Sequence, residues 1–173
     1  MDNFGLLALI YAFTYAGGGF VAIFIPVLLK LAGLGPLEVG LVSASSPIAA
    51  ILGVIVLGWL FDRNKEWRKV LYIVSMCVSF AFFCCIPVAV LFLRTNAFAL
   101  SIVSVMLAAS LNAAAGTLLD AIAVETTKQN EYGRLRLFGA LGYGLGAGVV
   151  GLLLFFINPV DGSWEQWFRE SNF

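Results

Sequence analysis

The stretch FGLLALIYAFTYAGGGFVAIFIPVLL, residues 4–29, contains no charged side chain. An α-helix needs about 20 apolar residues to cross the hydrocarbon core of a bilayer, so this stretch predicts a transmembrane helix. The backbone must be helical there because hydrocarbon offers no partner to a free N–H or C=O group. The stretch is too long, and lacks the preceding basic residues, for a cleaved signal peptide, so we expect a retained first span.

Four further apolar stretches follow, separated by short polar segments. The sequence therefore predicts an all-α polytopic membrane protein in which residues 1–157 form one transmembrane bundle. We expect residues 158–173 to be an extracytoplasmic tail or the start of a truncated loop. Because the connections are short, we also expect consecutive helices to be antiparallel neighbours. The five predicted spans are residues 4–29, 37–61, 70–93, 97–124 and 137–157.

The composition of the whole chain excludes several classes of protein. Of its 173 residues, 61% are hydrophobic and 12% are charged, whereas an average soluble domain is about half apolar and about a quarter charged. A formal net charge of +0 provides no excess of basic residues for binding nucleic acid. The chain has no histidine, which is the usual metal ligand and general base. We therefore predict no catalytic residue, metal or cofactor, and no enzymatic activity.

The basic residues are concentrated in two of the four connections, residues 62–69 and 125–136. Together these connections hold seven Lys and Arg residues, and the opposite side of the predicted bundle holds three. The positive-inside rule therefore predicts that both connections and the N-terminus are cytoplasmic. We expect an integral, multi-pass protein of the plasma membrane whose first partner is the lipid bilayer.

Asp120 is the one charged residue predicted to lie deep within a span. A carboxylate at the bilayer centre costs about 2.5–3.5 kcal/mol on insertion scales, so it should face protein or a water-filled cavity. Its expected partners are Arg134 and Arg136, across a short turn. Glu125, near the cytoplasmic end of the same span, can take the same partners. The pair is either a structural ion pair between spans four and five or a carboxylate coupled to protons or substrate.

Small residues mark candidate packing surfaces. In span five, Gly142 with Gly146 and Gly144 with Gly148 form small-xxx-small pairs, which predict close packing against another helix. The glycines at 17–19 permit close packing, a kink or a cavity lining. Four polar residues are candidates for lining a substrate cavity, with helix packing as the alternative for the aromatic ones: Tyr11, Tyr15, Asn112 and Tyr143.

Two stretches resemble motifs of the major facilitator superfamily. Residues 58–69, GWLFDRNKEWRK, resemble its loop motif between the second and third helices, in which Gly is followed by three residues, Asp-Arg and later a basic pair. Residues 120–125, DAIAVE, followed by YGRLRLFGALGYG at 132–144, resemble the subfamily of lactose-permease-like sugar symporters and the eukaryotic homologues of a macrophage MHC receptor. Lys65 stands where the first motif has a glycine.

The resemblance implies an incomplete N-terminal six-helix half of a major facilitator fold, since that fold has two such halves with the substrate between them. It implies alternating-access transport of a small solute, with protons as a candidate coupling ion. Five spans cannot form both walls of the pathway, so we expect no transport without a C-terminal half or a second copy. A non-transporting, receptor-like or regulatory membrane protein is the alternative. The residues that match the family's gating motif are Gly58, Asp62, Arg63, Arg68 and Lys69.

Overall fold

The computed structural model describes residues 3–31, 33–63, 65–92 and 97–157. All five long helices in this part of the chain are long and apolar enough to cross a membrane. This confirms the predicted all-helical fold of five spans, and the protein is a multi-pass membrane protein. The predicted tail at 158–173 lies outside the described residues. The helices are α1 (Asn3–Leu31), α2 (Pro36–Arg63), α3 (Arg68–Phe92), α4 (Ala97–Thr126) and α5 (Gln129–Ile157), with one 3-10 turn (Lys65–Trp67) before α3.

Helix α5 begins earlier than the hydropathy pattern predicts. The segment 125–136 is not a loop, because α4 continues to Thr126 and α5 starts at Gln129. The side chain of Glu131 accepts a hydrogen bond from the Lys128 N–H (3.4 Å), as an acidic residue in the first turn of a helix commonly does. Hydropathy marks only the apolar part of a helix, so it does not detect two polar turns that continue the same helix.

Most consecutive helices are not packing neighbours. Helix α1 packs along α5, and α4 packs between α2 and α3, whereas α1 with α2 and α4 with α5 scarcely touch. The prediction that short connections make consecutive helices neighbours is therefore wrong, except for α3 and α4. A short turn fixes only the ends of two helices, and the fit of their side chains decides which faces meet.

Glycines allow the close packing of α5 against α1. A methyl group on Gly142 or Gly146 would overlap the main chain of Ala12 or Ala16, respectively. The predicted close approach of span five is confirmed at these two glycines. Gly144 and Gly148 have no described neighbour at their Cβ positions, so this second glycine pair faces away from α1.

Serine hydroxyls join α4 to its two neighbours. The Ser110 hydroxyl donates a hydrogen bond to the main-chain carbonyl of Ala49 in α2 (2.9 Å). The Ser79 hydroxyl of α3 donates to the carbonyl of Ala108 in α4 (2.9 Å). The main chain of Ser110 approaches α2 closely because it lies against Gly53, which has no side chain. The bundle thus consists of a pair, α1 with α5, and a group of three helices, α2, α3 and α4, which we call the group α2–α4. The candidate site lies where the pair and the group meet.

Candidate functional site

The carboxylate of Asp120 joins three helices. Its Oδ1 accepts a hydrogen bond from the hydroxyl of Tyr11 in α1 (2.6 Å). Its Oδ2 accepts one from the guanidinium of Arg136 in α5 (3.2 Å), which is also an ion pair. The structure therefore pairs Asp120 with one of its two predicted partners, and Arg134 is not the one chosen.

The two partners of Asp120 differ in their access to solvent. Tyr11 is fully buried in an apolar cluster with Ala8, Leu119 and Leu135. The side chain of Arg136 is 62% exposed, and that of Asp120 is 23% exposed. Tyr11 is thus the fixed partner of the carboxylate. Arg136 is the exposed partner, so its guanidinium is accessible to a ligand that would replace Asp120.

Arg136 borders an open groove of about 440 Å³ beside α5. Tyr15, Ala140 and Tyr143 form the rest of its lining. Two of the residues predicted to line a substrate cavity, Tyr15 and Tyr143, border this groove. Tyr11 lies behind it, with its ring stacked on that of Tyr15 (5.9 Å between centroids, 18° between planes).

Two small residues beside this groove were not among the predicted site residues. Ala140 follows Arg136 by one turn and lies on the same stripe as Tyr143, so helical spacing could have identified it. A methyl group on Gly139 would crowd the rings of Tyr11 and Tyr15, so the glycine provides space for the aromatic pair. Asn112, two turns before Asp120 in α4, is half-buried and does not line the groove.

A second ion cluster ties together the ends of α2, α3 and α4. Arg68 forms an ion pair with Asp62 (3.7 Å, Nη2 to Oδ1) and one with Glu125 through Nη1. Its side chain is only 12% exposed, while that of Glu125 is 60% exposed. Of the two acidic residues predicted as candidate partners of Arg134 or Arg136, Asp120 forms such a pair and Glu125 pairs with Arg68 instead. Five helical residues rotate a side chain by about 140°, so Glu125 faces α3 while Asp120 faces α5.

The remaining predicted residues stay outside both ion clusters. Arg63 is exposed, and its guanidinium lies 5.7 Å from the centroid of the Trp59 ring. Lys69 is also exposed, and the Cβ position of Gly58 has no described neighbour. Arg134 lies over the Phe4 ring, 5.3 Å from its centroid, and so contacts the start of α1.

The model of the MFS_1 like family matches residues 5–160 of this chain. The chain belongs to this family. No curated protein and no solved structure matches the sequence. The matched range begins in α1 and continues past the end of α5, so it includes both ion clusters of the MFS_1-like chain. The predicted relation to the major facilitator superfamily is confirmed at the level of the family.

One further polar contact in the MFS_1-like chain was not predicted. The hydroxyls of Thr14 in α1 and Tyr72 in α3 share a hydrogen bond (2.8 Å). Thr14 lies three residues after Tyr11, on a neighbouring part of the same helix face. Helix α1 therefore makes polar contacts to both α3 and α4 at the level of Asp120. Within the four described ranges, no three His, Cys, Asp or Glu side chains form a group that could hold a metal.

Proposed function

We propose that this chain is the N-terminal portion of a secondary active transporter that moves a small polar solute by alternating access. The observation that carries this proposal is the Asp120–Arg136 pair, which borders an open groove in a five-helix chain of the MFS_1 like family. A charge that is costly inside a membrane is more readily explained by use in transport than by stability alone.

Arg136, the exposed member of the ion pair, is the residue that would bind the solute. Arg136 presents guanidinium donors beside Tyr15 and Tyr143, so a solute with oxygen acceptors and an apolar face suits the groove. When such a solute takes the donors of Arg136, Asp120 keeps its bond from buried Tyr11. Protonation of Asp120 removes the charge that attracts Arg136. Protons and solute therefore act on the same pair, and protons are the coupling ion that we propose.

The Asp62–Arg68–Glu125 cluster is the proposed gate. It joins the ends of three helices through pairs that are close to solvent, so it can break and reform as helix ends shift. In this proposal the five helices form one wall of the pathway, and a C-terminal half or a second copy forms the other. We also propose that the chain belongs to the lactose-permease-like subfamily. We place it in the plasma membrane with its N-terminus on the cytoplasmic side.

A solute-binding screen on the purified chain tests the groove. Thermal unfolding is followed with a panel of neutral sugars, nucleosides and amino acids. A solute that raises the melting temperature should lose this effect in D120N and in R136Q. The matched controls are E66Q and K128Q, which remove the same charges from exposed positions and should retain the effect.

Transport by the assembled protein separates a functional from a structural pair. The double variant D120N/R136Q leaves neither residue with an unpaired charge, so a purely structural pair would tolerate it. We expect this variant to lose solute uptake while it keeps its helical content. Full uptake in the double variant would refute the proposed role of the pair.

A further inference from the structure

The basic residues of the gating motif differ in exposure: one is largely buried and two are exposed. Arg68 is largely buried and neutralised by Asp62 and Glu125. Arg63 and Lys69 are exposed, and neither lies within ion-pair distance of a carboxylate in the described part of the chain. These two cations therefore take no part in the cluster that we propose as a gate, and their charges remain available to a partner.

Two tryptophans accompany these cations. Trp59 lies one turn before Arg63 at the end of α2, and Trp67 directly precedes α3. Both indoles are exposed, and the guanidinium of Arg63 lies over the Trp59 ring. Tryptophan is enriched at the level of lipid headgroups because its ring is apolar and its N–H is polar.

We propose that this junction of α2 and α3 binds the headgroup of an anionic phospholipid, with the phosphate contacting Arg63 and Lys69. The candidate spans end at Arg63 and begin at Arg68, so both cations lie where the apolar part of the bundle meets the headgroups. Lys69 lies in the first turn of α3, and the N-terminal end of a helix attracts phosphate.

The local charge balance agrees with an anionic ligand. The segment 62–69 contains four basic and two acidic residues, so its formal charge is +2, and Glu125 beside Arg68 leaves a local charge of +1. Of the two acidic residues, Asp62 already pairs with Arg68, and Glu66 is exposed. The tryptophans favour a lipid over a soluble anion, because a soluble anion gains nothing from indole rings at the membrane surface.

Quenching of tryptophan fluorescence by brominated lipids tests this proposal on the full chain. The sequence has four tryptophans, and the background W164F/W167F leaves only Trp59 and Trp67. The protein is reconstituted in phosphatidylcholine vesicles that contain the same mole fraction of either brominated phosphatidylglycerol or brominated phosphatidylcholine. We expect enrichment of phosphatidylglycerol at the two indoles, by about fivefold for each basic residue that contacts the headgroup.

Charge-removing variants locate the effect. R63Q and K69Q should each reduce the preference, and R63Q/K69Q should abolish it. K128Q removes an exposed charge from the turn between α4 and α5 and should retain the preference. Far-UV circular dichroism checks the helical content, and if R63Q loses helix, K69Q alone must show the reduction.

Three results would overturn the proposal. Equal quenching by the two brominated lipids would show that the junction does not select anionic headgroups. A loss in K128Q as large as that in R63Q would indicate a diffuse attraction by the whole basic end of the bundle. Loss of quenching by brominated phosphatidylglycerol when inorganic phosphate is added at the same concentration as the lipid would indicate a site for soluble anions.

Discussion

Replacing Gly146 by Ala tests the packing of α5 against α1. The added methyl group would overlap the main-chain carbonyl of Ala16, which cannot move aside without shifting α1 itself. Overfilling a packed interface costs about 1–3 kcal/mol. Alanine is also the better helix former, by about 1 kcal/mol in water, so the measured loss in G146A alone understates the steric cost.

A matched substitution in the same helix removes this ambiguity. Gly148 lies two residues further along α5 and has no described neighbour at its Cβ position. G148A gains the same helix propensity without any overlap. The difference between the two variants in free energy of unfolding therefore isolates the steric cost. We expect G146A to be less stable than G148A by about 1–3 kcal/mol.

Equilibrium unfolding in mixed detergent micelles, followed by far-UV circular dichroism, measures this difference. G142A should behave like G146A, because its methyl group would overlap the main chain of Ala12. If G146A and G148A are equally stable, α5 does not approach α1 through this pair of glycines. The arrangement of helices that places Arg136 beside Asp120 would then be refuted as well.

Two further predictions concern the polar clusters. Y11F should cost about 0.6–1.7 kcal/mol of unfolding free energy, which spans the mean and the maximum for hydrogen bonds between membrane helices. In a double-mutant cycle, this cost should vanish when Asp120 is replaced by Ala. E125Q should cost about 1 kcal/mol, the upper range for a solvent-accessible pair, because Arg68 loses the charge of its closer partner and keeps only the longer ion pair with Asp62. E66Q, at an exposed position that forms no ion pair with the described residues, should leave stability unchanged, and equal costs in these two variants would contradict the pairing.

Hydropathy was sufficient to predict the five helices, because each must fill the hydrocarbon with about 20 apolar residues. It could not predict the start of α5, where polar residues continue the helix beyond the apolar part. It also could not choose between Gly142 with Gly146 and Gly144 with Gly148. Both pairs have the same spacing, and only the rotation of α5 about its axis decides which pair faces α1.

The candidate site was predictable where residues lie close in sequence. Asp120 and Arg136 flank a short turn, so their pairing could be expected from spacing and charge. Tyr11 donates to a carboxylate 109 positions away, and Arg68 binds one 57 positions away. Such contacts depend on which helices pack together, and a single sequence contains no signal for that.

The contacts that α1 makes with α2, α3 and α4 differ between the two ends of the bundle. Away from Asp120, α1 meets the group α2–α4 through an apolar cluster that includes Leu29, Val42 and Ile86. At the level of Asp120, three polar contacts among the described residues join α1 and α5 to that group, and two of them end on this one carboxylate. A change of charge at Asp120 would therefore remove polar contacts at the groove, where the apolar cluster around Tyr11 and Leu119 remains, and would leave the far apolar cluster unchanged. In the proposed transporter, this is how proton or solute binding would become a helix movement.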